Sequence, residues 1–151
     1  MRRKEKEITD IREIESIIRK AQVCRLALAD EGLPYIVPLC FGFRDNALYF
    51  HSAGEGRKIE ILKRNNQVCF EFDILSEVKP GNTACAWGMK YRSVIGYGQA
   101  ALIEDPGQKR EALDIIMAQY ADGAFEYSQK AFDQALAIKV DISSMTGKKS
   151  D

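Results

Sequence analysis

The feature that most limits the fold of this chain is a series of strand-like segments in residues 23–52 that only short turns separate. Residues 23–29 alternate apolar side chains with polar or small ones, which is the two-residue period of a strand with one buried face. The turns at 30–32 and 44–46 leave no room for a helix, so successive strands must pair antiparallel. The pattern predicts an antiparallel meander and argues against a parallel sheet with alternating helices.

Helices are few, and their starts are marked by capping residues. Asp10 with Glu13 and Asp105 with Gln108 are capping boxes, and they predict one helix near the start of the chain and a second that ends at Gly123. Weaker patterns predict short helices over residues 57–64 and 124–132.

The rest of the chain favours strands. Pro38, inside the long apolar segment 33–43, predicts an edge, a bulge or a ligand-facing position, because proline has no ladder donor. The other predicted strands are 47–52, 67–75, 83–87, 91–104 and 135–142. The fold class is therefore mainly β with flanking helices, an antiparallel closed or partly closed barrel of six to seven strands.

Length and composition narrow the possible functions. The 151 residues predict a single domain, 1–151, with frayed tails at 1–9 and 143–151. Equal numbers of basic and acidic residues, 22 each, argue against nucleic-acid binding. No stretch is long and apolar enough for a membrane span, and no signal peptide is visible, so we expect a cytoplasmic protein. Four cysteines without a CxxC pair, and one histidine, predict reduced thiols and no metal site.

The most informative segment joins a strand end, a glycine-containing loop and a helix that begins with Arg57 and Lys58. Cations in a first turn oppose the positive end of the helix dipole, at a cost of about 0.3–1 kcal/mol each. A bound phosphate would reverse this penalty, because both cations, backbone N–H groups and the Ser52 hydroxyl could converge on one dianion. Gly56 would allow a close backbone approach. The alternative is a surface turn in which Glu55 pairs with one of the cations.

His51 is the single histidine, and it precedes Ser52 at the end of a predicted strand. Neighbouring strand residues point to opposite faces, so a Ser–His hydrolase pair is disfavoured. His51 is therefore either an ordinary histidine of the sheet or a residue that contacts a ligand or transfers a proton. Trp87, Tyr91 and Tyr97 predict an aromatic pocket or an interface, with ordinary core packing as the alternative.

Together these motifs resemble the flavin-binding split-barrel superfamily of pyridoxamine-phosphate oxidases, and most closely its nitroimidazole-resistance (Nim) branch. The resemblance rests on segments between Tyr35 and Glu71, namely YIVPLCF, LYFHSA, GEGRK, IEIL, KRNNQ and VCFEF. It extends through YRSVIGYGQA and the Glu-Asp-Pro helix start, and covers about Val23 to Tyr120.

The resemblance implies a split barrel that forms a homodimer, with flavin bound at the subunit interface. The flavin is FMN, with FAD as the alternative. Gly56 stands where the oxidases have serine, and the C-terminal segment that binds pyridoxamine phosphate in oxidases has no counterpart, which argues against vitamin B6 oxidation. The residues that the resemblance assigns to the flavin are Val37, Pro38, Leu39, His51, Ser52, Gly56, Arg57, Lys58, Arg92 and Ser93.

The implied function is a flavin-dependent oxidoreductase that passes electrons to a small electrophile such as a nitroimidazole. His51 is then the catalytic residue, as proton donor or substrate contact, while the flavin supplies the redox chemistry. The alternatives are a non-catalytic flavin carrier or sensor, a heme-binding protein with His51 as axial ligand, and an interaction module without a cofactor.

Overall fold

The computed structural model describes residues 3–151, which form one antiparallel sheet flanked by helices. The strands are β1 Glu7–Ile8, β2 Cys24–Asp30, β3 Leu33–Leu39, β4 Gly42–Arg44, β5 Ala47–Ala53, β6 Gln67–Lys79, β7 Gly88–Ile103 and β8 Ala135–Ser150. The helices are α1 Ile11–Lys20, α2 Arg57–Arg64, α3 Pro106–Ala118 and α4 Gln129–Gln134, with single 3-10 turns at Lys4–Lys6 and Ala84–Ala86.

The strands run in the order β3-β2-β6-β7-β8-β5-β4, and β1 pairs with the far end of β8. The sheet is not closed, because β3 and β4 lie at its two ends and do not pair with each other. Fully buried aromatic rings fill its inner face, contributed by Phe41, Phe50, Phe70 and Phe72. The predicted mainly antiparallel architecture with flanking helices is confirmed.

The two capped helices begin where the sequence predicts. The Asp10 carboxylate accepts a hydrogen bond from the Arg12 backbone N–H at 2.9 Å, and Asp105 accepts one from Gln108 at 2.8 Å. Side-chain caps of this kind satisfy N–H groups that have no partner inside the helix. The second helix ends at Ala118, five residues before the predicted terminator at Gly123.

The predicted meander is wrong at one point, between β3 and β4. The segment 33–43 is two strands, and the chain leaves the sheet at Cys40 and Phe41 to join its opposite end. Phe41 is fully buried, and its backbone N–H donates to the Tyr120 hydroxyl at 3.0 Å. At Gly42 an added Cβ would meet the Ile115 carbonyl carbon at 2.6 Å, so α3 lies directly against this backbone. Packing under α3 therefore separates β4 from β3.

The frayed tails are also a wrong prediction for the residues that the structure describes. The last strand continues beyond residue 142 to Ser150, and Tyr91–Tyr97 of β7 pairs with this extension. On its other edge, Lys148 and Gly147 pair with Glu7 and Ile8. Ladder hydrogen bonds on both edges order a tail whose polar composition predicts fraying. Residues 1 and 2 lie outside the described part of the chain.

Three smaller differences concern the region of residues 75–134 and the strand count. The predicted strand 83–87 is a loop with a 3-10 turn, and the last short helix begins at Gln129 instead of residue 124. Eight strands are present in residues 3–151 because β4 and the two-residue β1 add to the predicted set. No helix in this part of the chain has the length and apolar character needed to cross a membrane.

Candidate functional site

The predicted anion-binding residues lie where β5 ends and α2 begins, and we call Ser52, Gly56, Arg57 and Lys58 the basic corner. Gly56 is the N-cap of α2, with φ 116° and ψ 165°, a conformation that essentially only glycine adopts. Its carbonyl oxygen accepts the N–H groups of Ile59 and Glu60 at 2.9 and 3.1 Å. No side chain caps the helix, so its first turn presents backbone N–H groups outward.

The two cations of the basic corner have different surroundings. The Arg57 guanidinium carbon lies 4.8 Å from the centroid of the Tyr35 ring in β3. Lys58 is partly buried, and this burial lowers the pKa of its ammonium group. Within residues 3–151, neither cation forms an ion pair with a carboxylate. The alternative in which Glu55 pairs with Arg57 or Lys58 is therefore wrong.

This arrangement is suited to a phosphate group. Lys58 has lost hydration without gaining a negative partner, which is costly unless an anion binds. Arg57, Lys58 and the N–H groups of the first turn all favour negative charge at this end of the helix. Ser52 lies one residue from the end of β5 and is partly exposed, so its hydroxyl is available. The basic corner thus has the residues and the helix N-terminus that a phosphate site requires.

The predicted flavin-contacting segment Val37–Leu39 belongs to an edge strand. In the described part of the chain β3 pairs only with β2, so its outer backbone groups have no ladder partner. Pro38 pairs in register with Arg25, and its position at an edge agrees with the prediction from proline. Val37 and Leu39 turn inward and pack against the core. Because Arg57 stacks on Tyr35, the basic corner lies beside this free edge.

His51 lies on the opposite face of β5 from Ser52 and is exposed. Its register partner is Ala137 in β8. It lines an open cavity of about 510 Å³ together with Cys40 and with residues of α3 and α4. His51 is thus no part of the hydrophobic core, and its imidazole is available to a small molecule in this cavity.

Arg92 and Ser93 lie in β7, which β8 separates from β5. The Arg92 guanidinium donates to Asp151 Oδ1 at 2.6 Å and to the Tyr91 carbonyl oxygen at 3.1 Å. The same arginine lowers the pKa of the Asp151 carboxylate, chiefly through this hydrogen bond. Within one chain, therefore, Arg92 contacts the C-terminal end of β8 and not the basic corner.

Three residues of this region are absent from the sequence-based site. Tyr35 supports Arg57, while Cys40 and Tyr120 line the cavity beside His51. The sequence does predict that Tyr120 lies on the apolar face of the helix, because it continues the helical spacing of Leu113. Its hydrogen bond to the Phe41 N–H, however, depends on tertiary packing. No sequence pattern marks Cys40, since it lies where the chain crosses from β3 to the opposite end of the sheet, a connection that the meander prediction omits.

Comparison with proteins of known structure defines the fold class of this chain. The fold is that of a split barrel, shared with the Flavocytochrome Anf3 from Azotobacter vinelandii at a TM-score of 0.88, 19% identity, and coverage of 100% of this chain and 72% of that one. The FAD and heme binding protein from Mycobacterium smegmatis matches at a TM-score of 0.87 and 20% identity, covering 97% and 74% of the two chains.

The chain belongs to the pyridoxamine 5'-phosphate oxidase family, whose sequence pattern it matches over residues 10–149. A structure from Bacteroides thetaiotaomicron VPI-5482, provisionally described as a 5-nitroimidazole antibiotic resistance protein, is 42% identical with a TM-score of 0.85. The match covers 94% of this chain and 85% of that one. No curated protein gives a significant match.

Proposed function

We propose that this protein is a flavin-dependent oxidoreductase that reduces a small electrophile such as a nitroimidazole. The observation that carries the proposal is the basic corner, where Arg57 and the partly desolvated Lys58 have no carboxylate partner in residues 3–151. A flavin nucleotide supplies both a phosphate for this corner and a ring system for the free edge of β3. The 42% identical relative supports the choice of a nitroimidazole as the electrophile.

Bound flavin would supply the electron transfer, with a reduced nicotinamide as the class of electron donor. The chain's own residues have three tasks. The basic corner binds the phosphate, the backbone of Val37–Leu39 orients the ring edge, and the His51 imidazole donates a proton or a hydrogen bond to the acceptor. FMN is the proposed form, because the corner holds one phosphate-sized set of donors.

We also propose a cytoplasmic homodimer with flavin at the subunit interface. The outer face of the sheet supports this, because Ile36, Ala27, Cys69 and Tyr97 form one cross-strand row on it. Ile36 and Tyr97, at the two ends of this row, are 60% and 59% exposed, so the row presents apolar surface to solvent. In a dimer the partner subunit's surface would cover this row, and Arg92 and Ser93 of one chain would approach the flavin of the other.

The first experiment tests flavin binding at the basic corner. Purified wild-type protein should be yellow and carry flavin, which mass spectrometry identifies. Replacing both cations, Arg57→Ala with Lys58→Ala, should weaken flavin binding by at least about 100-fold, because charge-assisted hydrogen bonds contribute ~1.5–3 kcal/mol each. The matched control is Lys63→Ala with Arg64→Ala at the other end of the same helix. Equal flavin content in both double variants would refute the proposal.

The same preparations separate an enzyme from a carrier. Flavin-loaded wild type and His51→Ala are compared in steady-state reduction of a nitroimidazole by reduced nicotinamide. For an enzyme in which His51 donates the proton, kcat should fall about 100-fold in the variant at unchanged flavin content. If the flavin-loaded wild type shows no turnover, the protein is a carrier or sensor. If wild type and His51→Ala turn over equally fast, His51 takes no part in the reaction.

A further inference from the structure

The end of β6 and the start of β7 form a hairpin that projects beyond the rest of the sheet, and we call residues 75–90 the arm. β8 pairs with β7 only from Tyr91 onward, and β2 pairs with β6 only at Cys69–Glu71. Within residues 3–151, the two strands of the arm therefore pair only with each other. A two-stranded hairpin by itself is marginally stable in water, so the arm needs a further contact.

The large apolar side chains of the arm are exposed. They are Leu75, Val78, Trp87 and Met89, with exposed fractions of 66%, 52%, 56% and 44%. None of residues 75–90 is buried. A group of exposed apolar side chains on one element is typical of a surface that another protein covers.

The exposed side of the arm continues the outer face of the sheet. The extra residue at the register shift between Ile74 and Glu77 lies in β6, so β7 keeps its alternation past this point. Met89 therefore lies on the same face of β7 as Ile95 and Tyr97, which are also exposed. A second copy of this chain that covered the outer face, as in the proposed homodimer, would meet the arm as well.

The outer face also has a cleft suited to one large side chain. β2 and β6 pair over Arg25–Ala27 and then separate, and the gap between them forms an open cavity of about 250 Å³. Its outer-face lining includes Ala27, Ala29, Cys69 and Tyr97. The cavity is smaller than most small-molecule sites, ~300–1,000 Å³. Gln67 also lines it and carries an amide oxygen, the acceptor that a buried indole N–H requires.

We propose that the arm of each subunit packs on a second copy of this chain, with Trp87 inserted into the partner's cleft. One face thus carries both a projecting indole and a cleft for one side chain, the self-complementarity that a two-fold interface requires. If the β7 strands pack antiparallel about an axis near Arg92, Trp87 lies opposite the partner's Tyr97. A chain does not fill its own cleft, because ten residues of strand, ~33 Å, separate Trp87 from Tyr97.

The inference rests on the proposed homodimer and goes beyond it, because the arm has no task in the flavin proposal. The first test uses fluorescence, since Trp87 is the single tryptophan of the chain. In the wild-type dimer, acrylamide should quench Trp87 at least about threefold less efficiently than in the urea-unfolded chain, because the partner covers the indole. Equal quenching in the folded dimer and the unfolded chain would overturn the proposal.

Two variants at alanines then locate the contact. Ala29→Arg fills the cleft and should increase the quenching of Trp87 at least about threefold. Ala118→Arg, at an exposed position of α3, should leave the quenching unchanged. Circular dichroism confirms that both variants are folded. Equal quenching in the two folded variants would show that the cleft does not hold Trp87.

Sedimentation measures the contribution of the arm to dimerisation. Trp87→Ala should raise the dissociation constant of the dimer at least about tenfold, because buried tryptophans dominate the energy of interfaces. The matched control is Ile11→Ala, at an equally exposed apolar residue of α1, which should have no effect. Equal constants would overturn the proposal. Flavin content is measured on the same samples: a dimer with covered Trp87 but no flavin refutes only the flavin function, and a flavin-bearing dimer with accessible Trp87 refutes only the arm.

Discussion

At the scale of single residues, Gly56 has the most restricted backbone. Its φ of 116° and ψ of 165° lie in a region essentially closed to other residues, yet an added Cβ would meet nothing within 4 Å. Gly56→Ala should therefore destabilise the protein by about 1–3 kcal/mol through backbone strain alone. Urea unfolding measures this difference in free energy.

Gly54 provides the control, because a Cβ added there would also meet nothing within 4 Å, while its φ is not positive. Gly54→Ala should stay within about 0.5 kcal/mol of wild type. Equal stability of the two alanine variants would show that the Gly56 backbone is not held in a conformation that strains other residues. Flavin affinity should fall in the same order, since Gly56 positions the first turn of α2.

Lys58 illustrates a conflict between stability and binding. Its ammonium pKa is lowered by burial, so the unfolded chain binds more protons than the folded one and stability rises with pH through the lowered pKa. Lys58→Met should raise the Tm of the flavin-free protein at pH 7 by about 1–3 °C. This gain should shrink at higher pH, where the wild-type lysine is itself neutral.

Differential scanning calorimetry of flavin-free protein across pH 7–10 measures this effect. Lys63→Met, at an exposed position of the same helix, should show no comparable gain. In the presence of flavin the order should reverse, because Lys58→Met removes the proposed phosphate contact. A Tm of the flavin-free Lys58→Met variant below that of wild type at pH 7 would contradict the desolvation argument.

At the scale of elements, the long strand β8 holds the sheet together. Its first half, Ala135–Asp141, pairs with β5, Gly147 and Lys148 in its second half pair with β1, and β7 pairs with it along most of its length. Amide hydrogens of residues 144–149 should therefore exchange about as slowly as those of residues 136–141. Hydrogen exchange followed by mass spectrometry measures these rates. Fast exchange confined to residues 143–151 would show that the C-terminal tail is frayed after all.

The boundary between β3 and β4 is an element that the local sequence pattern does not predict. The apolar character of residues 33–43 continues without interruption, so it gives no indication that the strand divides at Cys40. The division depends on α3, which lies against Gly42, and on Tyr120, which bonds to the Phe41 N–H. Both partners are more than 70 residues away along the chain.

At the scale of the whole molecule, the proposed dimer predicts a defined effect of Tyr97. Its exposed ring lies in the row with Ile36 and Cys69 on the outer face, so a charge there should not disturb the fold. Sedimentation should give wild type twice the chain mass of 17.0 kDa and should give Tyr97→Glu a monomer. Flavin content should fall with dissociation, because in the proposed dimer both subunits contribute to the flavin site.

Gln99→Glu adds the same charge two residues along the same face and is the matched control. It should remain a dimer, since Gln99 lies outside the apolar row. A wild-type monomer that binds flavin stoichiometrically would refute the interface, and a dimeric Tyr97→Glu would place it elsewhere on the molecule.

The sequence by itself determined the features that depend on neighbours a few positions apart. These are the caps at Asp10 and Asp105, the alternation of the strands, and the short helix that begins at Arg57 and Lys58. Tertiary structure decided which strand edges stay free, that Tyr35 lies under Arg57, and that His51 faces an apolar cavity. The reason is physical: caps and periods follow from local backbone geometry, whereas pairing and burial depend on distant segments competing for the same edges and space.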